Sequence, residues 1–165
     1  MKKVSVFYGS TSGNTEEIAN RIAEEFGVVA QSCDTMSPKD IAESELLILG
    51  SSTWGAGDLQ DDWMDAIDTL KACDLSGKTV ALFGCGDSQG FGDTFCDAIG
   101  TLYSELSDSN CDFVGEMDTA GYDYSDSTAI VDDKFVGCAL DEENEPEKTD
   151  ERIEAWIAQI KPLLN

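Results

Sequence analysis

The sequence predicts an α/β protein: a doubly wound, five-stranded parallel sheet with helices on both faces, its last strand interrupted by an insertion. Three observations predict it. Short apolar runs bounded by turn residues alternate with stretches whose apolar residues recur every three or four positions. One run, Leu46-Leu47-Ile48-Leu49, is uninterrupted, as in a strand buried on both faces. The length, 165 residues, suits one domain, so residues 1–165 are expected to fold as one unit.

Strands are expected at residues 4–8, 28–33, 46–50, 79–83 and 112–116. Ile18, Ile22 and Phe26 place a helix after the first, and Gly27 stands where a left-handed cap ends it. Trp63, Ile67 and Leu70 mark a second helix, and Phe95, Ile99 and Leu102 a third. Ile153, Trp156, Ile157 and Ile160 mark the last. The rhythm fails at about 117–135, which is rich in Asp, Ser, Thr and Gly and holds Tyr122 and Tyr124; apolar character returns at Val136-Gly137-Cys138-Ala139-Leu140. This segment is read as an insertion that splits or extends the last strand. A long irregular segment in a compact domain is usually functional or mobile.

Charge narrows the function. The chain has 34 Asp and Glu against 10 Lys and Arg, a net charge of -24. Such a surface repels nucleic acid and anionic membranes and favours a partner with a basic docking face; the plainer alternative is that it only maintains solubility. The densest apolar run is far below membrane-spanning length, and the apolar stretch after Lys2 and Lys3 is too short for a signal-peptide core, so a cytoplasmic location is expected. The six cysteines form no Cys-x-x-Cys and the chain lacks His, so no metal site is expected and the thiols are expected free.

In an open parallel sheet, ligands sit beyond the carboxyl ends of the strands. Three loops are expected to converge there. The first, Gly9-Ser10-Thr11-Ser12-Gly13-Asn14-Thr15, sets hydroxyls and glycines between a strand and a helix. Its amides, its hydroxyls and the helix dipole suit a phosphate. It contains no Lys or Arg, so it is not a Walker loop; the alternative is a Ser/Thr helix cap without a ligand. The second, Ser51-Ser52-Thr53-Trp54-Gly55-Ala56-Gly57-Asp58, presents an indole between small residues, either to stack on a ligand or to fold back on the core. The third runs from Gly84-Cys85-Gly86-Asp87 through Gly90-Phe91-Gly92-Asp93. Its glycines allow close approach to a flat ligand and Phe91 offers a second ring; the alternative is a turn with Phe91 in the core. One phosphate site and two aromatic tips on one edge suit a phosphorylated planar molecule, and flavin mononucleotide (FMN) fits.

Ser10-Thr11-Ser12-Gly13-Asn14-Thr15 resembles the phosphate loop of flavodoxins, [ST]-x-[ST]-G-x-T. Thr53-Trp54-Gly55 resembles the loop over one flavin face, and Gly86-Asp87 with Phe91-Gly92-Asp93 the loop over the other. The insertion, with Tyr122-Asp123-Tyr124, is similar to that of the long-chain type. The resemblance covers essentially the whole chain. It implies a flavodoxin-like fold and FMN bound by Ser10, Thr11, Ser12, Gly13, Asn14, Thr15, Ser52, Thr53, Trp54, Gly55, Cys85, Gly86, Asp87, Phe91 and Asp93. Phe91 stands where the family most often has Tyr, which keeps the ring and loses a hydroxyl.

The resemblance implies a low-potential one-electron carrier and not an enzyme. It would shuttle FMN between semiquinone and hydroquinone for redox partners, such as a flavodoxin reductase or an oxidoreductase with a basic docking face, and act as a monomer. Asp58, Asp61, Asp62, Asp65 and Asp68, with Asp141-Glu142-Glu143, are expected to steer that docking. A flavin-dependent reductase is the main alternative, but no basic residue or His near the loops would polarise a substrate. A phosphoacceptor domain lacks its acidic pair at Phe7-Tyr8-Gly9, and Cys-x5-Arg phosphatase chemistry lacks its arginine.

Overall fold

The computed structural model describes residues 3–9, 13–54, 58–59, 62–90, 92–122, 124–142 and 144–164, with Trp54, Asp58, Leu59, Asp93 and Leu164 in backbone only. Strand β1 (Val4–Gly9) leads to helix α1 (Asn14–Glu25), then β2 (Ala30–Ser32), α2 (Pro38–Glu43) and β3 (Leu46–Trp54). A short β4 (Asp58–Leu59), α3 (Trp63–Lys71), β5 (Thr79–Cys85) and α4 (Asp97–Leu106) follow. The chain continues through β6 (Asp112–Val114), β7 (Met117–Asp118), β8 (Ile130–Val131), β9 (Lys134–Phe135) and β10 (Cys138–Leu140) to α5 (Pro146–Ile160).

The main sheet runs β10-β5-β3-β1-β2, all parallel along that path. The expected split of the last strand is present. β6 pairs with the first half of β5, Asp112 opposite Thr79, and β10 with the second half, Leu140 opposite Cys85. Between them the insertion forms its own antiparallel sheet, β7-β9-β8, which periodicity did not predict because its strands are only two residues long.

Alternation along β3 builds two cores. Leu47 and Leu49 face one side with Trp63, Leu70, Ile99 and Leu102 of α3 and α4. Leu46 and Ile48 face the other with Ile18 and Ile22 of α1 and Ile153 and Trp156 of α5. Burying each large side chain contributes about 1.5–3 kcal/mol, so both faces of the sheet need a helical cover. Gly27 takes φ +69 after α1; its amide bonds the Glu24 carbonyl, and that of Val28 the Ala23 carbonyl, the two bonds of a Schellman cap. Sequence periodicity missed α2, one and a half turns long. Its signal was chemical: the Ser37 hydroxyl accepts from the Asp40 amide, and Pro38 opens the first turn.

Two strands are longer than expected, and this redraws the loops. β3 continues through Ser51, Ser52 and Thr53 because β5 pairs with it as far as Cys85 and β4 pairs with Thr53. β5 includes Gly84 and Cys85. β2 is shorter, since Cys33 opens a 3-10 turn, and Phe95 precedes α4, which begins at Asp97.

Candidate functional site

Register brings the three loops to one edge. Gly9 ends β1 opposite Ser51, Ser51 lies opposite Gly84, and Ser52 and Leu140 flank Cys85. The edge adjoins the point where the order reverses around β1, the usual ligand position in such sheets.

At the first loop, Ser10, Thr11 and Ser12 lie outside the described residues. Gly13 takes φ +95, which an L side chain would strain, and is the N-cap of α1. Its carbonyl accepts from the Glu17 amide, so the amides of Asn14, Thr15 and Glu16 precede the first intrahelical bond. Thr15 is 1% exposed, and its Oγ1 is buried with no hydrogen-bond partner among the described residues. An unsatisfied buried hydroxyl costs roughly 1–3 kcal/mol. Positioned at the positive end of a twelve-residue helix, it suits an anion. This hydroxyl and the amides of the first turn fit a phosphate. Glu16 and Glu17 of the same turn are exposed, so water screens their repulsion. The Tyr8 phenol is pushed up by burial and then by the nearby Glu16 carboxylate, so it stays neutral.

At the second loop, Gly55, Ala56 and Gly57 lie outside the described residues; of their neighbours, Trp54 pairs with Asp58. The Trp54 ring, too, is outside the description. Thr53 is tied to α4: its Oγ1 accepts from the Ala98 amide at 3.2 Å and caps that helix, which leaves its O–H free to donate. The fully buried Trp63 donates from Nε1 to the Gly50 carbonyl at 2.8 Å and ties α3 to β3 below the hairpin.

At the third loop, Phe91 lies outside the described residues and Asp93 is described in backbone only. The Cys85 side chain packs into the α1/α5 core. Gly86 donates its amide to the Leu140 carbonyl at 2.9 Å. A Cβ on Gly86 would meet the Cys96 nitrogen at 2.7 Å, so packing beneath the loop by itself requires a glycine here. Asp87 Oδ1 accepts from the Gln89 and Gly90 amides at 3.2 and 2.8 Å and from Asn144 Nδ2 at 2.7 Å. These donors, the Gly90 amide first, hold the carboxyl below its ordinary value. A depressed carboxyl stabilises the fold above its unfolded pKa of about 3.9 and ceases to as the pH falls through its folded value. The stability difference between wild type and Asp87→Asn is therefore expected to be constant from pH 5 to 8 and to shrink as the pH falls below about 4. Urea unfolding at stepped pH reads it, and a difference that grows in acid would contradict the assignment.

Asp141 overturns one expectation. Grouped by sequence with docking acids, it is fully buried and accepts from the Ser88 amide and hydroxyl and from Asn144. A carboxylate so enclosed is unavailable to a partner protein. Asp65 and Asp68 are exposed on α3 as expected, and Asp62 is half-buried. Sequence reasoning also missed the hold of the insertion on the third loop. The Ser125 and Asp126 amides both bond the Gly92 carbonyl, the Ser127 hydroxyl bonds the Phe95 carbonyl, and Asp97 accepts from the Thr128 amide at 2.8 Å. Phe95 packs among Tyr122, Tyr124 and Phe135. The insertion thus forms the floor of the segment that follows Phe91. All six cysteines are free thiols. Among the described residues no acidic or thiol cluster could hold a metal, and no helix is long and apolar enough to cross a membrane.

The chain is similar to known proteins along its whole length. A family model described as Flavodoxin matches residues 6–156. The flavodoxin of Picosynechococcus sp. is 45% identical over 172 residues, covering 99% of both chains. Flavodoxin 1 of Escherichia coli is 42% identical over 169 residues, covering 100% of this chain and 96% of its own. The crystal structure of Fusobacterium nucleatum flavodoxin bound to flavin mononucleotide superposes with a TM-score of 0.93 at 33% identity, covering 100% of both chains.

Proposed function

Because this chain belongs to the flavodoxin family, we propose that its three loops hold FMN by phosphate and ring, and that the protein passes single electrons at low potential between redox partners. The chain is an FMN-based electron carrier, not an enzyme. The observation that carries the site assignment is Thr15 Oγ1, buried and unpartnered at the start of α1.

The phosphate would be held by Ser10, Thr11, Ser12 and Thr15 and by the amides of Gly13, Asn14 and the first turn of α1. Trp54 and Phe91 would cover the two faces of the ring. Ser52, Thr53, Gly55, Cys85, Gly86, Asp87 and Asp93 would line its edges, largely through backbone. Bound FMN supplies a centre that takes up two electrons in separate steps. Gly55, as a glycine, could adopt positive φ without steric cost, and its carbonyl would then be free to accept a hydrogen bond from the ring. One such hydrogen bond is worth about 0.5–1.5 kcal/mol net, or roughly tens of millivolts for one electron. The second step adds negative charge to a chain that already carries -24. Cover by the Trp54 and Phe91 rings would exclude water and weaken screening there, so this acidic chain would disfavour added negative charge on the ring and lower its second potential. A reductive titration of the FMN-loaded protein is expected to resolve two one-electron waves, without NAD(P)H oxidation by the protein alone. A single two-electron wave would overturn the reading.

Docking is assigned to the face of α3, where Asp65 and Asp68 flank the 69% exposed Met64. A basic partner would be steered by the acids and seated on the thioether. The rate of reduction by a flavodoxin reductase is then expected to fall as ionic strength rises from about 10 to 300 mM, as the Debye length shrinks several-fold; a salt-independent rate would remove charge from the account. Among the described residues the exposed large apolar side chains are Val29, Met64 and Leu163, on separate elements, which supports a monomer. Free thiols fit the cytoplasm.

A further inference from the structure

The loop that carries Gly86 and Asp87 is held from outside itself. Ser88, near its middle, is buried, and both its amide and its hydroxyl donate to the carboxylate of Asp141, the residue that follows β10. The same carboxylate accepts the Asn144 amide at 3.0 Å and Asn144 Nδ2 at 3.1 Å. Asn144 Nδ2 also donates to Asp87 Oδ1 at 2.7 Å, and Asp87 closes its own turn on the Gln89 and Gly90 amides. Two carboxylates and one side-chain amide therefore lock loop 86–90 to the loop between β10 and α5.

The cost of this arrangement indicates its purpose. A carboxylate without solvent exposure is tolerated only when donors surround it, and an apolar contact would hold two loops together with less desolvation. Hydrogen bonds add direction. They set where the Gly86 and Asp87 backbone stands relative to the sheet edge, where an apolar contact would let it slide. Neither Asp141 nor Asn144 lies in the three loops read as ligand-binding, and the side chain of Asp141 points into the protein.

We propose that Asp141 and Asn144 are positioning residues for the flavin ring, acting through Ser88 and Asp87 on the loop that lines the ring's edge. The inference rests on the FMN reading above. Because the lock bonds the ring loop directly and β10 lies three strands from β1 in the sheet, it governs ring affinity and leaves the phosphate contribution untouched.

The test titrates the full-length apoprotein with FMN and with riboflavin, which has the ring and lacks the phosphate, in wild type, Asp141→Asn, Ser88→Ala and the double variant. Asp141→Asn is expected to weaken both ligands by the same factor, on the order of tenfold, and Ser88→Ala by about threefold. The double variant is expected to be no worse than Asp141→Asn alone, because the two residues act through one contact. Folded variants that hold both ligands within twofold of wild type would overturn the proposal, even if their apoproteins melt earlier, since that pattern is a purely structural role. Loss of FMN affinity with riboflavin affinity unchanged would also overturn it. If Asp141→Asn does not fold, Ser88→Ala decides by the same criteria. A wild-type apoprotein that binds neither ligand is a different failure, that of the FMN reading itself.

Discussion

Replacing Thr15 with Val is expected to weaken FMN binding by between about ten- and a hundredfold while making the apoprotein more stable. Both effects come from one atom. Oγ1 is buried and unpartnered at the N-terminus of α1, so in the apoprotein it represents an uncompensated desolvation of roughly 1–3 kcal/mol. Valine has the same shape without the hydroxyl and relieves that cost. In the complex the hydroxyl would donate to a phosphate, and a hydrogen bond to a charged group is worth about 1.5–3 kcal/mol. At 1.4 kcal/mol for each factor of ten, its loss gives the stated range. Riboflavin, lacking the phosphate, is expected to bind the variant within about twofold of wild type. Fluorescence titration with the two ligands and a thermal melt of the apoprotein read all three signs. Equal losses for FMN and riboflavin would place Thr15 under the ring instead of the phosphate, and unchanged FMN affinity would remove it from the site.

Gly100→Ala is expected to destabilise the apoprotein by about 1–3 kcal/mol, opposite in sign to what helix propensity alone predicts. Gly100 lies inside α4, where alanine usually gains about 1 kcal/mol over glycine. Here a Cβ would stand 2.4 Å from the Thr128 carbonyl oxygen and 2.5 Å from its carbon, and these are backbone atoms that cannot rotate away. The chain must then separate α4 from the segment 125–128, which bonds Gly92 and Phe95. The control is Ser104→Ala on the exposed side of α4, expected to gain about 0.5 kcal/mol at most. Urea denaturation of the three apoproteins measures the comparison. If Gly100→Ala unfolds at higher urea than wild type, the insertion does not pack against α4 as described.

Thr15 was a candidate from sequence, because hydroxyls and glycines between an apolar strand and a helix are a local pattern with a local meaning. Gly100 carried no such signal: a glycine in a helical stretch looks the same whether it faces water or the insertion. The same divide runs through the third loop. By sequence, Gly86 and Gly90 are glycines that admit a ligand. The structure adds to this that Gly86 packs closely on Cys96 and Phe95, and that Gly90 stands in the turn closed by Asp87.

What the sequence by itself determined is what depends on near neighbours. Strand and helix alternation, the Gly27 cap, the split of the last strand and the hydroxyl- and glycine-rich segment that ends in Thr15 all follow from apolar periods and turn chemistry within about fifteen residues. Only the tertiary structure decided what depends on distant partners. Ser51, Ser52 and Thr53 look like loop residues, yet they extend β3 because β5 and β4 supply the hydrogen bonds. Asp141 looks like a surface acid, yet it is buried because Ser88, 53 positions earlier in the chain, donates to it twice. A polar residue's burial is set by whether donors reach it in space, and a linear pattern of polarity does not contain that information.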